Sequence, residues 1–202
     1  MVGIVKYNVG NIYSVISAIR YLGKEVILIE NLRVLNKIKF LILPGVGHFA
    51  SGMKYLEETD LRNEIKKWIE KGMPFLGICL GFQLLFEWSE EGNKEGLGIL
   101  KGKVIKFKDK NLKVPHMGWN RVKILKRENF FENIQDNSYF YFAHSYYVKT
   151  NKSLIIGETE YGINFPSVIS KENIVGVQFH PEKSGKIGLL FLKNLLEGKW
   201  LQ

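Results

Sequence analysis

The sequence contains little of what several protein classes require. A single cysteine in 202 residues excludes an internal disulfide framework. The four histidines lack the spacing of metal ligands, so we expect neither a metal nor a cofactor. No uncharged apolar run is long enough to span a membrane, and residues 1–7 lack the charged and apolar segments of a signal peptide. We therefore expect a cytoplasmic protein without a membrane partner.

Acidic residues are also in deficit, with 20 against 29 basic residues and a formal charge of +9. Such a balance is compatible with nucleic-acid binding. However, the lysines of residues 101–108 alternate with apolar residues, as on the exposed face of a strand. No nucleic-acid-binding motif accompanies them. We predict a solvated or partner-facing surface and no nucleic-acid partner.

The apolar residues, by contrast, suffice for an ordered core, at 46% of the chain. Apolar runs at 2–7, 25–29 and 40–43 predict three strands. Apolar residues at helical spacing over 12–19 predict a helix that ends at Gly23. Strands and helices that alternate through short links favour parallel pairing in an α/β domain.

The rest of the chain continues with few helices and many strands. We predict a helix over Leu61–Ile69 that ends near Gly72, a polar surface loop over 89–96 and a last helix over 187–196. The further predicted strands are 74–78, 99–107, 121–125, 138–143, 153–159 and 174–178. Without a repeat or a linker, residues 1–202 are expected to form one domain, with a mostly parallel mixed sheet flanked by helices.

One short segment has the pattern of a catalytic turn. In Gly77-Ile78-Cys79-Leu80-Gly81 an apolar strand leads to a cysteine, and apolar residues at helical spacing follow over 82–86. This is the layout of a nucleophile elbow with a thiol in place of the hydroxyl. The flanking glycines permit the sharp turn, and a helix N-terminus favours the thiolate. A buried core cysteine is the alternative, but the glycines favour a nucleophile.

A base for this thiol is predicted at His180, which follows the apolar run 174–179. Pro181 restricts the backbone between His180 and Glu182, so that the carboxylate can hydrogen-bond and orient the imidazole. Cys79, His180 and Glu182 then supply nucleophile, base and orienting group. We interpret the other histidines as structural or interface residues: His48, His116 and His144.

A glycine-rich turn, Pro44-Gly45-Val46-Gly47-His48-Phe49, follows the third predicted strand. Backbone N–H groups in such a turn often face an anion. The Lys-Ser/Thr ending of a phosphate loop is missing. An oxyanion hole and a plain glycine turn both remain open from these residues alone.

Together these motifs resemble a known family. Residues 44–47, Gly77–Gln83 and Gln178–Ser184, in this order and spacing, are similar to the triad-type class I glutamine amidotransferases. Residues 115–120 (Pro-His-Met-Gly-Trp-Asn) and 142–146 (Phe-Ala-His-Ser-Tyr) further resemble the HisH family, the glutaminase subunits of imidazole glycerol phosphate synthase. The resemblance covers nearly the whole chain and implies a flavodoxin-like α/β fold.

The resemblance also implies a mechanism in which the Cys79 thiolate attacks the side-chain amide of L-glutamine. Backbone N–H groups of Leu80 and of the loop Gly45, Val46 and Gly47 would hold the oxyanion. His180 would protonate the departing ammonia and then activate water, while Glu182 orients its ring. By position in the motifs, the glutamine pocket would contain Gly47, Gln83, Ser145 and Tyr146.

The resemblance further implies a partner, a (β/α)8-barrel synthase subunit that forms a heterodimer with the glutaminase and receives its ammonia. The implied interface residues are Asn11, Trp119, Asn120, Tyr141 and Lys183. In this family the glutaminase is weakly active until the partner and its nucleotide substrate are bound. A peptide flip in residues 44–47 is the hypothesis for that switch.

Other functions are compatible with parts of the sequence. Residues 6–10 and His48 depart from the pattern of many relatives, which leaves open a paralogue that supplies ammonia to a sugar amidotransferase of surface-polysaccharide synthesis. An inactive scaffold would predict a damaged triad, whereas all three residues are present. A flavodoxin-like nucleotide binder would need a phosphate loop at residues 8–11, which are unlike one.

Overall fold

The structure is a computed structural model that describes residues 1–6, 12–30 and 37–198. The helices are α1 (Tyr13–Tyr21), α2 (Phe49–Glu58), α3 (Leu61–Glu70), α4 (Leu80–Gln83) and α5 (Gly185–Leu196). The strands are β1 (Val2–Val5), β2 (Val26–Ile29), β3 (Phe40–Leu43), β4 (Phe75–Ile78), β5 (Phe86–Ser89), β6 (Lys94–Glu95), β7 (Leu100–Lys106), β8 (His116–Ile124), β9 (Ser138–His144), β10 (Tyr146–Thr150), β11 (Ile155–Tyr161), β12 (Ile163–Lys171) and β13 (Ile174–Val177). Over these ranges, each helix is too short or too polar to traverse a lipid bilayer.

Nine of the strands form one mixed sheet in the order β2-β1-β3-β4-β13-β12-β11-β8-β9. Pairing is parallel from β2 to β13 and antiparallel from β13 to β9. A second sheet of four strands has the order β10-β7-β5-β6. The predicted α/β fold with a mixed sheet and flanking helices is confirmed, although the large sheet is half antiparallel and not mostly parallel.

The parallel half of the sheet is buried along its whole length. Every residue of β1, β3, β4 and β13 is buried, because helices cover both faces of such a sheet. These strands are therefore the uninterrupted apolar runs of the sequence. Helices α1 and α3 are followed by Gly23 and Gly72, each with φ 72°, as the sequence predicts for glycines that end helices.

The predicted helix after Cys79 is wrong beyond its first turn. Helix α4 ends at Gln83, and the apolar residues that follow lead into strand β5. Leu84, Leu85 and Phe86 are fully buried, and Phe86 pairs with Leu100 of β7. Burial from all sides removes the difference between helical and strand periodicity, so a short apolar run does not distinguish the two. Strand β6 likewise lies in the expected loop 89–96.

An aromatic cluster fixes the chain where β13 ends. The ring of Phe179 stacks on Phe140 of β9 at 4.1 Å between centroids and meets Phe191 of α5 edge-on at 5.6 Å. All three side chains are almost fully buried, and such ring pairs add to the free energy of burial. The next residue, His180, is thereby held at the edge of the sheet.

The turn Gly77–Gly81 also packs directly against the backbone at the end of β3 and against its own backbone. A Cβ at Gly81 would lie 1.8 Å from the carbonyl oxygen of Leu43 at the end of β3, and one at Gly77 would lie 2.8 Å from the carbonyl oxygen of Gly81. Neither carbonyl belongs to a side chain that can move aside. Glycine is required at both positions because the backbone segments approach so closely.

We expect Gly81→Ala to lower the free energy of unfolding by about 4 kcal/mol or more, since the methyl group overlaps a buried carbonyl. Chemical denaturation followed by circular dichroism measures this loss. Gly23→Ala is the control, because that site is open but has φ 72°, which costs about 1–2 kcal/mol. Equal losses in the two variants would contradict the close contact between the turn and β3.

Candidate active site

Cys79 lies at the carboxyl end of β4 in a strained backbone conformation, with φ 51° and ψ −102°. A residue other than glycine occupies this region at a cost of roughly 1–3 kcal/mol. Its N–H donates to the carbonyl of Val177 at 2.8 Å, which ties the turn to β13. The residue is 5% exposed. The geometry is that of a nucleophile elbow, with the sulfur above the edge of the sheet.

His180 follows β13 on the neighbouring strand, and its ring is paired with Glu182. Nδ1 lies 2.8 Å from Glu182 Oε1, and the two side chains are only 2% and 3% exposed. Pro181 begins a 3-10 turn over Pro181–Lys183, and the hydroxyl of Ser184 donates to the His180 carbonyl at 2.6 Å. The turn therefore holds imidazole and carboxylate in one fixed relation.

The charges around His180 determine its protonation. Burial opposes the charged ring, but Cys79 and the Glu182 carboxylate outweigh it and raise the pKa of His180 to about 10. Nδ1 is engaged by Glu182, while the buried Nε2 makes no hydrogen bond of good geometry to the described residues. At neutral pH the His180 ring is therefore held as an imidazolium beside Cys79.

The sequence predicts a helix N-terminus next to the sulfur, and Cys79 is the N-cap residue of α4, a helix of only four residues. In addition, the amide Nε2 of Gln178 donates to Cys79 Sγ at 3.6 Å. Gln178 is fully buried. Gln178 belongs to the motif Gln178–Ser184, but its contact with the sulfur was not predicted.

The glycine-rich loop does not form an oxyanion hole in this conformation. The N–H of Leu80, the predicted donor of the elbow, donates to the carbonyl oxygen of Gly45 at 3.2 Å. Gly45 and Gly47 have φ 153° and 138°, values that favour glycine. The peptide between Gly45 and Val46 thus presents a carbonyl, not an N–H, to the elbow.

Two of the predicted pocket residues, Gln83 and Tyr146, are connected to the elbow by hydrogen bonds within the protein. Gln83 is buried, and its Nε2 donates to the carbonyl of Tyr146 and to Gln178 Oε1, both at 3.0 Å. Ser145, which connects β9 to β10, and Tyr146, the first residue of β10, are half-buried. Nearby, Cys79 Sγ lies 3.8 Å from the Ala143 carbonyl. The structure thus brings the elbow, Gln83 and the β9–β10 connection together.

Two of the predicted interface residues, Trp119 and Tyr141, are paired on strands β8 and β9, and Asn120 lies on the opposite face of β8. Trp119 is 55% exposed and contacts Tyr141 edge-on at 6.1 Å between ring centroids, while Lys183 is exposed beside Glu182. Asn120 is half-buried on the same strand, and Asn11 lies outside the described residues. The sequence missed two further exposed residues of these strands, Met117 and Tyr139.

Two of the other three histidines are buried, and the third caps a helix. His48 accepts the N–H of Ala50 at the start of α2, a structural role that the sequence predicted as one alternative. His116 and His144 contact each other through their ring nitrogens at 3.0 Å. Within the described ranges, His, Cys, Asp and Glu side chains form no group of three that could hold a metal ion.

We expect NMR titration of the His180 ring to show a pKa near 10, and substitution of Cys79→Ala or Glu182→Gln to lower it, because each removes a negative partner. The folded pKa exceeds the ordinary 6.5, so this group stabilises the fold fully below pH 6.5 and loses that contribution as pH rises towards 10. The resonances of His48 are the internal control. An unchanged His180 pKa in both variants would contradict the charge pairing.

Comparisons with known proteins agree with this geometry. The model of the family described as glutamine amidotransferase class-I matches residues 4–196. The imidazole glycerol phosphate synthase subunit HisH of Methanocaldococcus jannaschii is 53% identical over 198 residues, 98% of this chain and 99% of the relative. The subunit of the same name from Caldanaerobacter subterraneus is 49% identical, with 98% of each chain covered.

A solved structure shares the fold at much lower sequence identity. A glutamine amidotransferase from Thermotoga maritima superposes with a TM-score of 0.75 at 18% identity, over 100% of this chain and 98% of that one. At this identity the likeness concerns the fold alone. The family match over nearly the whole chain and the high identity to HisH subunits decide the classification. The chain belongs to the class I glutamine amidotransferase family, among the HisH subunits of imidazole glycerol phosphate synthase.

Proposed function

We propose that the chain is the glutaminase subunit of an imidazole glycerol phosphate synthase in L-histidine biosynthesis. It hydrolyses glutamine to glutamate and ammonia and passes the ammonia to a synthase subunit, which forms imidazole glycerol phosphate and an aminoimidazole carboxamide ribotide. The names of the relatives support this pathway. The observation that carries the chemistry is the buried His180–Glu182 pair beside the strained Cys79.

The reaction begins with Cys79 Sγ, which attacks the carbonyl carbon of the glutamine side chain. His180 Nε2–H then donates its proton to the departing nitrogen, the carbon–nitrogen bond breaks, and a glutamyl thioester and ammonia result. The neutral imidazole next removes a proton from water, whose oxygen attacks the thioester and releases glutamate and the thiolate. Glu182 keeps Nδ1 protonated throughout, so that Nε2 faces the reacting atoms.

We infer that the oxyanion hole forms by a flip of the Gly45–Val46 peptide. In the present conformation the Gly45 carbonyl accepts a hydrogen bond from the Leu80 N–H at 3.2 Å. Rotation of this peptide would withdraw the carbonyl and direct the Val46 N–H towards the same place, so that two donors face the oxyanion. Gly45, at φ 153°, has the backbone freedom that this rotation requires. The resting chain is accordingly expected to be weakly active.

The partner proposed for this chain is a (β/α)8-barrel synthase subunit in a heterodimer. Ammonia that reaches water is protonated and is then no longer a nucleophile, so the two sites must be connected by an enclosed path. Exposed aromatic and apolar side chains near the site support a docking face there, together with the predicted interface residues Asn11, Trp119, Asn120, Tyr141 and Lys183. A reducing cytoplasm suits the free nucleophilic thiol of Cys79.

We expect the chain to release little glutamate alone and much more with the synthase subunit and its nucleotide substrate. A coupled glutamate assay measures this, and Cys79→Ala should abolish release while ammonia-driven activity of the synthase persists. Release that survives Cys79→Ala would overturn the mechanism. Release that no synthase stimulates, or co-purification with a sugar amidotransferase in place of the cyclase, would overturn the assigned pathway.

The peptide flip predicts a specific effect of Val46→Pro. Proline has no N–H to offer the oxyanion, and loss of one such donor lowers kcat by about 100-fold or more. Val46→Ala is the matched control, because it keeps the N–H and shortens the side chain. We expect stimulated glutaminase activity to collapse only in the proline variant. Equal stimulation of both variants would rule out the Val46 N–H as an oxyanion donor.

A further inference from the structure

The mechanism leaves two buried histidines without a role. His116 on β8 and His144 on β9 lie directly opposite each other in the antiparallel pair and are 3% and 6% exposed. His116 Nδ1 and His144 Nε2 are 3.0 Å apart. Both histidines belong to the motifs that distinguish this chain among amidotransferases, yet neither touches the triad in any hydrogen bond among the described residues.

The neighbours of the two rings fix the direction of every hydrogen bond between them. His144 Nδ1 lies 2.7 Å from the carbonyl oxygen of Tyr146, which can only accept, so Nδ1 carries the hydrogen. In a neutral ring, Nε2 is then the acceptor and receives the Nδ1–H of His116. His116 Nε2 in turn accepts from Asn120 Nδ2 at 3.2 Å. The donors thus all point from Asn120 towards Tyr146.

Burial keeps both rings neutral. It lowers the pKa of His116 to about 4 and, as the largest cause, that of His144 to about 3. A proton added to His144 Nε2 would face the Nδ1–H of His116, and one added to His116 Nε2 would face the N–H of Asn120. Either contact would bring two donors together without an acceptor. Each ring therefore has a single tautomer across the neutral range, and the hydrogen bonds form a fixed connection.

The connection continues past Tyr146 to the sulfur. The same carbonyl accepts a second hydrogen bond, from Gln83 Nε2 at 3.0 Å. The other N–H of Gln83 donates to Gln178 Oε1 at 3.0 Å, which leaves Gln178 Nε2 to donate to Cys79 Sγ at 3.6 Å. Because the carbonyl can only accept, it also fixes which way the two amide groups are turned.

We propose that His116 and His144 are positioning residues that couple strand β8 to the nucleophile. The relay consists of Asn120, His116, His144, the Tyr146 carbonyl, Gln83, Gln178 and Cys79. A displacement of β8 when the partner docks is passed through the relay to the amides that hold Gln83 and the sulfur. This proposal rests on the proposed function, since docking at β8 belongs to it.

The relay begins at a suitable place for such coupling. Asn120 is half-buried, and its Nδ2 also donates to the carbonyl of Glu160 at 2.9 Å, which anchors it to β11. Its neighbour Trp119 is among the most exposed large apolar residues described. One residue of β8 is thus available to a partner while the next holds the first ring of the relay.

The competing explanation is a buried polar pair that only stabilises the core. Glutamine and leucine variants separate the two, because a glutamine amide donates through Nε2 and accepts through Oε1, as the neutral ring does, whereas leucine does neither. The variants are His144→Gln, His144→Leu, His116→Gln and His116→Leu. Asn194→Ala is the matched control, since Asn194 is equally buried and its Nδ2 makes two hydrogen bonds, to Phe130 and Glu132.

The experiment measures kcat and KM for glutamine in the complete complex with the synthase subunit and its nucleotide substrate, along with each variant's thermal unfolding midpoint. Both leucine variants should lower the stimulated kcat about fivefold or more, the effect of one lost hydrogen bond. The glutamine variants should retain most of the wild-type stimulated kcat. Asn194→Ala should lower the unfolding midpoint but leave kcat unchanged, and ammonia-driven synthase activity should persist in all variants.

Wild-type kcat in both leucine variants would overturn the relay, as would a loss in Asn194→Ala as large as theirs. A wild-type complex that releases no glutamate would instead overturn the proposed function. If the leucine variants do not fold, ring ¹⁵N spectra of the wild-type chain decide. An Nδ1–H tautomer at both histidines would support the relay, and an Nε2–H tautomer at either histidine would contradict it.

Discussion

The strained backbone at Cys79 is the constraint on which the rest of the site depends. A positive φ at a residue with a side chain persists only where the surroundings enforce it. Here Val177 accepts the Cys79 N–H, and Gly77 and Gly81 permit contact with backbone that a methyl group would obstruct. The parallel half of the sheet supplies these contacts, because β3, β4 and β13 are adjacent. Core and nucleophile therefore belong to one packing arrangement.

The antiparallel half of the sheet has a different task, which is to hold the base. The N–H of His180 donates to the carbonyl of Tyr141 on β9 at 2.8 Å. The N–H of Tyr141 in turn donates to the hydroxyl of Ser184 at 3.0 Å, so both residues are held in place. The Phe179 ring fills the core beneath. Nucleophile and base thus come from adjacent, paired strands, β4 and β13, and β9 holds the base in addition.

The sequence predicted the parallel strands and the helices α1 and α3 well, because uninterrupted apolar runs and closing glycines are local signals. It predicted the proximity of His180 and Glu182 for the same reason, since Pro181 fixes two neighbours along the chain. It failed at residues 84–86, where burial on all sides erases periodicity. The roles of Gln178 and of the two buried histidines depend on contacts between strands distant in sequence, for which no local pattern exists.

The hydrogen bond between Leu80 and Gly45 has a metabolic consequence. While it persists, a carbonyl faces the elbow where the proposed mechanism requires an N–H donor. In that mechanism, a chain in this state spares glutamine, which a cell needs for many other syntheses. In the proposed mechanism, nitrogen is then released only when an acceptor is waiting, because the orientation of one peptide group controls the reaction.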